Sequence, residues 1–437
     1  MSRSPCSGTV GRWSSRSPSA DRSAARALGR RDAFLYVGAS GLGSFGLGVA
    51  AFYLNFVYRA LGFSGIAIGA LAGAPALGAL AGAWPAARLA RSRSRRAALL
   101  LGGTVTGAGL VGILVFTTLG LQLAAAALLG GGAIVVYSSG AALLADATAA
   151  ADRPKRFGQQ VALGTIAAFL AAYVAGLLAR PVAAILGEPE ASLPVLRAVV
   201  GLGGLVALLS ALPILLLRAV RVPAGALEAP RRRGLLVRFA VVEAVFGFGA
   251  GSFLPFTNLF FADRFAVTFE QLGLILGALA VAGSLGALLH GPLLVPRLGA
   301  LRAVIAVQLL SLPFAIAAAF GGGLLFATAA LAVRAGLMYG SSSTFRAYTL
   351  SSFSPAERAG AFALFTIAWS ATSAAGSVAS GAVRDVMGDA GWTVNLLTLA
   401  CAYLIAIALT VRFFGSHQPA GDLVVGEAIA AGPESRA

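Results

Sequence analysis

The stretch Gly46-Leu-Gly48-Val-Ala-Ala-Phe-Tyr-Leu-Asn55 has a counterpart 203 residues further on, Gly249-Ala-Gly251-Ser-Phe-Leu-Pro-Phe-Thr-Asn258. Both lie inside long apolar runs. The chain has only three asparagines, so chance is a poor account of two falling in one register. Further marks repeat nearby. Tyr137, Ser139, Arg156 and Gly158 match Tyr339, Ser341, Arg358 and Gly360 at an offset of 202, and Gly82, Arg88 and Leu89 match Gly291, Arg297 and Leu298 at 209. Offsets this close imply one duplication with small insertions, so the chain reads as two related halves.

The solvent of those halves follows from composition. Of 437 residues 58% are hydrophobic and 11% charged, with a mean hydropathy of +0.86; a soluble domain carries roughly 25% charged residues. Crossing a bilayer takes about 20 apolar residues per helix. Runs of that kind fall near 33–57, 62–84, 97–118, 121–144, 159–179 and 198–217, then near 235–260, 270–292, 303–320, 324–347, 361–382 and 392–413. The predicted fold is therefore an all-α integral membrane protein of 12 transmembrane helices in two pseudo-symmetric six-helix bundles. Gly120 and Gly321 to Gly323 split nearly continuous apolar stretches and predict tight turns.

Loop charge orients the chain. The even-numbered loops hold sixteen basic residues, among them Arg88, Arg91, Arg95, Arg96, Arg156, Arg231 to Arg233, Arg297 and Arg358. The odd-numbered loops hold five, Arg59, Arg180, Arg197, Arg264 and Arg384. By the positive-inside rule both termini are cytoplasmic. Residues 1–31 read as a disordered basic tail, 32–217 as the N-terminal bundle, 218–234 as a cytoplasmic linker, 235–415 as the C-terminal bundle and 416–437 as a second tail. The net charge of +17 sits in loop clusters with almost no aromatic interleaving, which fits anionic lipid and not nucleic acid. Cys6 and Cys401 have no metal-ligand spacing, so neither metal nor disulfide is expected. With 32 arginines against the single Lys155, and abundant Ala and Gly, the composition reads as that of a high-GC bacterial genome, which makes the membrane the bacterial inner membrane.

Six helices, a basic linker and six related helices resemble the major facilitator superfamily, over residues 32 to about 415. The loop Gly82-Ala-Trp-Pro-Ala-Ala-Arg88-Leu-Ala-Arg91, with further arginines behind it, is similar to the family's signature after helix 2. Ala87 and Ala90 stand where that signature has Asp and its second Gly; the second copy keeps Arg297 and Gly299 with Pro296 at the acidic position. The loop Pro355-Ala-Glu357-Arg358-Ala-Gly360 looks like the family's loop after helix 10. The resemblance implies two bundles rocking about a midplane site lined by the first, fourth, seventh and tenth helices. It implies cytoplasmic gating by Gly82, Arg88, Arg91, Gly291, Arg297 and Gly299, with salt bridges from Asp152, Arg156, Glu357 and Arg358; plain solvated loop charge is the alternative for that last set.

Glu243 lies about 12 Å inside the seventh run. A carboxylate in lipid costs at least ~2.5–3.5 kcal/mol, so it faces a bundle interior or water. It reads as a proton-coupling or substrate-cation site, or as a structural carboxylate paired with Arg238 or a serine or snorkelling toward the cytoplasmic face. Arg334, midway in the tenth run, reads as a forked clamp for a carboxylate or phosphate, or as an internal partner of Glu243. Asn55 and Asn258 either bond substrate near the outer mouth or serve the structure, by capping a helix or bridging two helices. Tyr137, Tyr339, Ser341 and Trp369 are cavity-lining candidates, with backbone bonding and packing as their ordinary alternatives. His290 reads as structural.

No nucleotide loop, zinc motif or nucleophile elbow occurs, so the chain is expected to be neither an enzyme nor a cofactor binder. The expected function is secondary, proton-coupled transport of a small organic solute by a monomer, with efflux of hydrophobic or cationic compounds favoured. Uptake of an anionic metabolite is the alternative. A lipid flippase or a non-transporting protein of the same fold is a third reading.

Overall fold

The computed structural model describes residues 29–92, 94–148, 153–218, 232–354 and 357–415. Most of both tails and of the basic linker lie outside these residues, as do Asp152 and the side chains of Arg88 and Arg91. Among the described residues twelve helices are long and apolar enough to cross a membrane. They are α1 (Arg30–Ala60), α2 (Gly65–Ser92), α3 (Arg95–Val115), α4 (Leu119–Asp146), α5 (Arg153–Leu186) and α6 (Leu193–Leu215) in the first half. The second half comprises α7 (Arg233–Phe265), α8 (Phe269–Leu298), α9 (Ala300–Phe320), α10 (Leu324–Ser351), α11 (Arg358–Met387) and α12 (Ala390–Phe414).

Most helices overrun the apolar runs because polar residues at headgroup depth keep helical backbone. α5, for example, begins six residues before its run, in the charged stretch Arg153 to Arg156. α6 is interrupted at Ser210, and α7 passes through a 3₁₀ turn at Leu254–Phe256 around Pro255. Of the two glycine turns expected, Gly321 to Gly323 do join α9 to α10. The other expectation is corrected: the α3–α4 turn is Phe116 to Thr118, and Gly120 sits in the first turn of α4. The Gln122 side chain explains the difference. Its Nε2 donates to the carbonyls of Ile113 (3.0 Å) and Phe116 (2.7 Å), satisfying acceptors left open at the end of α3.

Each half is assembled by one scheme. α1 packs on α5 and α6 while α4 packs on α2 and α3; likewise α7 packs on α11 and α12, and α10 on α8 and α9. The halves meet along α2 with α11 and α5 with α8. With no hydrophobic force between helices in lipid, close backbone approach through small residues carries this packing. At Gly69 a Cβ would run into the Ser377 carbonyl of α11, and at Gly73 into the Cα of Ala374. Gly176 and Gly273 form the corresponding contact between α5 and α8.

Candidate functional site

The ends of the molecule differ. The hydrogen bonds and ring contacts that join the halves gather at the end far from the termini. There the Nδ2 of Asn55 donates to the Pro255 carbonyl (2.7 Å) and to Oδ1 of Asn258 (2.9 Å), while Nδ2 of Asn258 donates to the Phe52 carbonyl (3.0 Å). Phe52 and Pro255 are themselves 203 residues apart, so the bonds to the two carbonyls are one contact made twice across the pseudo-twofold axis. The asparagines thus bridge helices, the second of their two readings.

Two carboxylates and an arginine surround this clasp, and the sequence singles out none of their contacts. Asp263 of α7 pairs with Arg59 of α1 through two bonds of 2.6 and 2.9 Å. Asp385, near the end of α11, accepts from the backbone N–H groups of Gly65 (2.5 Å) and Ile66 (2.8 Å) at the start of α2. It therefore caps a helix of the opposite half, where a negative charge is favoured. Arg384 lies against the rings of Phe256 (4.5 Å) and Trp392 (4.8 Å) and feels the charge of Asp263.

Toward the termini, the bonded side chains tie helices within their own half. In the first half Gln160 of α5 donates to the Tyr36 hydroxyl of α1 (3.1 Å) and reaches Ser40 (3.5 Å). Arg95 pairs with Asp146 at 3.0 Å, joining α3 to α4. The equivalent depth of the second half is aromatic. Phe239, 203 residues after Tyr36, is stacked on Phe414 (4.0 Å between centroids) and ringed by Phe345, Tyr348, Phe353 and Phe365.

The second half also holds the polar interior group. Glu243 of α7 is half-buried and forms no ion pair among the described residues. Arg238, a proposed partner, instead lies over Phe413. Arg334 of α10 is 4% exposed, with its guanidinium carbon 5.2 Å from the Tyr403 ring centroid and its Nε and one Nη buried without a hydrogen-bond partner. The fields of Arg334, Tyr339 and Glu243 converge on the Tyr403 hydroxyl. Glu243 lies one turn before Phe246, whose ring packs edge-on to Tyr403 (5.0 Å), so Arg334 and Glu243 approach the same ring without forming a salt bridge. Arg346, also on α10, acts on Glu243 as well and escaped the sequence reading.

The other candidates divide. Tyr137 and Tyr339 are exposed to nearly the same degree, 61% and 62%. Ser341 is buried and donates to the Met338 carbonyl of its own helix (3.0 Å), the ordinary role of a membrane serine. Trp369 keeps an exposed ring, while its carbonyl lies where a Cβ on Gly247 would have to go. His290 is buried with Nδ1 2.9 Å from the Thr344 hydroxyl.

Among the gate residues, Gly82 lets α2 approach Gly131 of α4, and Gly299 turns the chain at φ +76°. Gly291 has open space around its Cα and Arg297 is exposed. Arg156 bonds Gln159 and lies over Phe34 (4.2 Å). Glu357 accepts from the N–H and hydroxyl of Ser354, and Arg358 donates to the carbonyls of Leu350 and Phe353. These last bonds fasten α10 to α11.

The family model described as Major Facilitator Superfamily matches residues 34–244. No curated protein sequence matches the chain. Among solved structures, a mutant form of the nucleoside transporter NupG is similar over 88% of this chain and 100% of its own, with 17% identity and a TM-score of 0.72. A bacterial homologue of the human lysosomal transporter Spinster, inward-facing and unoccupied, covers 91% and 97% at 15% identity and a TM-score of 0.67. A mutant form of the E. coli fucose:proton symporter FucP covers 87% and 98% at 14% identity and 0.59. That family model matches the first half of the chain and the solved transporters share its fold along nearly all its length, so the chain is similar in sequence to the major facilitator superfamily over residues 34–244 and has the twelve-helix fold of these transporters.

Proposed function

We infer that the protein is a proton-coupled transporter that moves a small organic solute by alternating access, with Glu243 as the proton site. The observation that carries this reading is the placement of Glu243: a carboxyl within the second bundle, without an ion-pair partner among the described residues, beside Tyr403 and under the charge of Arg346. A carboxyl so placed can exchange a proton without breaking a salt bridge. A solved neighbour of the same fold is a fucose:proton symporter, which agrees with this chemistry. On the arginine bias, the terminus side is the cytoplasm, and the far-end contacts belong to an inward-open state of a monomer in the inner membrane.

Efflux of hydrophobic or cationic compounds is one direction consistent with this. A specific observation favours the other reading, uptake of an anionic solute: the buried guanidinium of Arg334 holds unbonded nitrogens, and such groups are expensive to leave unmade. The test is flux in proteoliposomes under an imposed pH gradient, using whichever solute most raises the melting temperature of the purified protein. Glu243→Gln should abolish the gradient's effect. Unchanged gradient-driven flux in that variant would rule out the proton role.

A further inference from the structure

Tyr339, Ser342, Ser343 and Arg346 follow one another along α10 and are all exposed. At 1.5 Å per residue they form a strip about 10 Å long. At the 202-residue offset α4 carries Tyr137, Gly140, Ala141 and Leu144. The tyrosines match, but the rest of the strip is polar on one helix and apolar on the other.

The strip has a definite direction. On one side of it Phe345 and Tyr348 pack on Phe239 of α7. On the other side Gly336 and Gly340 pack against Gly286 of α8. Between those contacts the strip opens between α7 and α8, and α8 is the helix that meets α5 of the first half. The Arg346 guanidinium leans the same way, 5.1 Å from the ring centroid of Phe362 on α11, which is the helix that meets α2 of the first half. Among the described residues Arg346 has no ion pair, and stacking on a ring uses none of its five N–H donors. Near the end of α10 an arginine on the lipid side would reach out to the headgroups, whereas this one turns inward over α11, which argues for an aqueous opening between the halves.

We propose that Arg346 is the receptor for an anionic group on the cargo, so that the substrate is a small organic anion bearing a carboxylate or a phosphate. This rests on the transporter reading above. Phe345, next to Arg346, packs on Phe239 and Phe246, which lie about one turn before and after Glu243, and Phe246 in turn packs on the Tyr403 ring that carries Arg334; the charged and titratable groups around Glu243 are therefore Arg346, Tyr403 and Arg334. A bound anion and an ionised Glu243 therefore compete for the same guanidinium. Anion binding and protonation of Glu243 consequently favour each other, and by linkage each raises the affinity for the other.

The test uses full-length protein with Cys6 and Cys401 replaced by serine and Ser342→Cys as a reporter, one turn from Arg346. In vesicles with the terminus side accessible, the labelling rate by a negatively charged methanethiosulfonate is divided by that of a positively charged one. The ratio should fall about three- to tenfold on Arg346→Gln and be largely kept by Arg346→Lys, because a charged cavity concentrates counter-ions. Melting temperatures check that both variants fold. Benzoate or phenyl phosphate should slow labelling by a neutral maleimide, and which one acts more strongly identifies the group. An unlabelled Ser342→Cys, a ratio indifferent to Arg346→Gln, protection by neither anion, or protection by tetraphenylphosphonium alone overturns the proposal. Glu243→Gln separates the two readings: if its flux still follows the pH gradient, the proton site fails while the labelling ratio stands.

Discussion

α4 and α10 occupy equivalent places, one packed on α2 and α3, the other on α8 and α9. Their exposed tyrosines match, yet one helix continues with glycine, alanine and leucine where the other has two serines and an arginine. The same divergence appears between α1 and α7, where Ser40 stands opposite Glu243 and Tyr36 opposite Phe239. At the far end the halves are alike, because Asn55 and Asn258 make reciprocal bonds across the axis. At the asparagine clasp the repeat holds, although the Arg59–Asp263 and Asp385 contacts beside it have no second copy, and where each half lines its own interior the residues have separated. A duplicated frame leaves one half free to carry charge.

The largest expected effect lies in the aromatic interior that replaces Tyr36 and Gln160. Phe239 is fully buried with five rings around it. Truncating such a ring typically costs about 3–5 kcal/mol, so Phe239→Ala should sharply lower the melting temperature of the purified protein. Tyr36→Phe, at the equivalent position, removes one hydrogen bond and should cost only about 1 kcal/mol. Equal losses would mean the two interiors are not built differently.

The asparagine clasp should behave as one unit. Interhelical polar bonds in membranes are worth roughly 0.6 kcal/mol on average and up to about 1.7. Asn55→Ala and Asn258→Ala should each raise the accessibility of a far-side cysteine to a membrane-impermeant reagent. The double variant should add little to either, since each single change already disrupts the shared contact. Additive effects would show two independent contacts.

Asp385→Asn is the smallest of the three. It keeps the size of the cap but removes a charge from the start of α2, an interaction worth about 0.3–1 kcal/mol where exposed. The expected outcome is a modest shift toward far-side labelling, largely lost at high salt because the contact is exposed.

Much of the fold was legible because hydropathy marks each span and the registers of Asn and Gly mark the duplication. Glu243 stood out for a physical reason: a carboxylate deep in an apolar run needs an explanation. Arg346 did not, because an arginine near the end of a run reads as a headgroup anchor until its lean toward α11 is seen. Arg59 reads as loop charge and Asp263 and Asp385 carry no mark in the sequence, because only tertiary contact joins them across the halves. The α3–α4 turn was misplaced because glycine marks a turn only where no side chain can close it, and Gln122 closes this one.

The central claim is that two halves of one frame hold unequal chemistry, with coupling in the second. The most direct measurement is solute flux in proteoliposomes, with and without a pH gradient, for Glu243→Gln beside Ser40→Ala. The account predicts that the gradient no longer drives flux in Glu243→Gln and drives it almost normally in Ser40→Ala. Gradient-driven flux that survives in Glu243→Gln, or that falls equally in both, would contradict it.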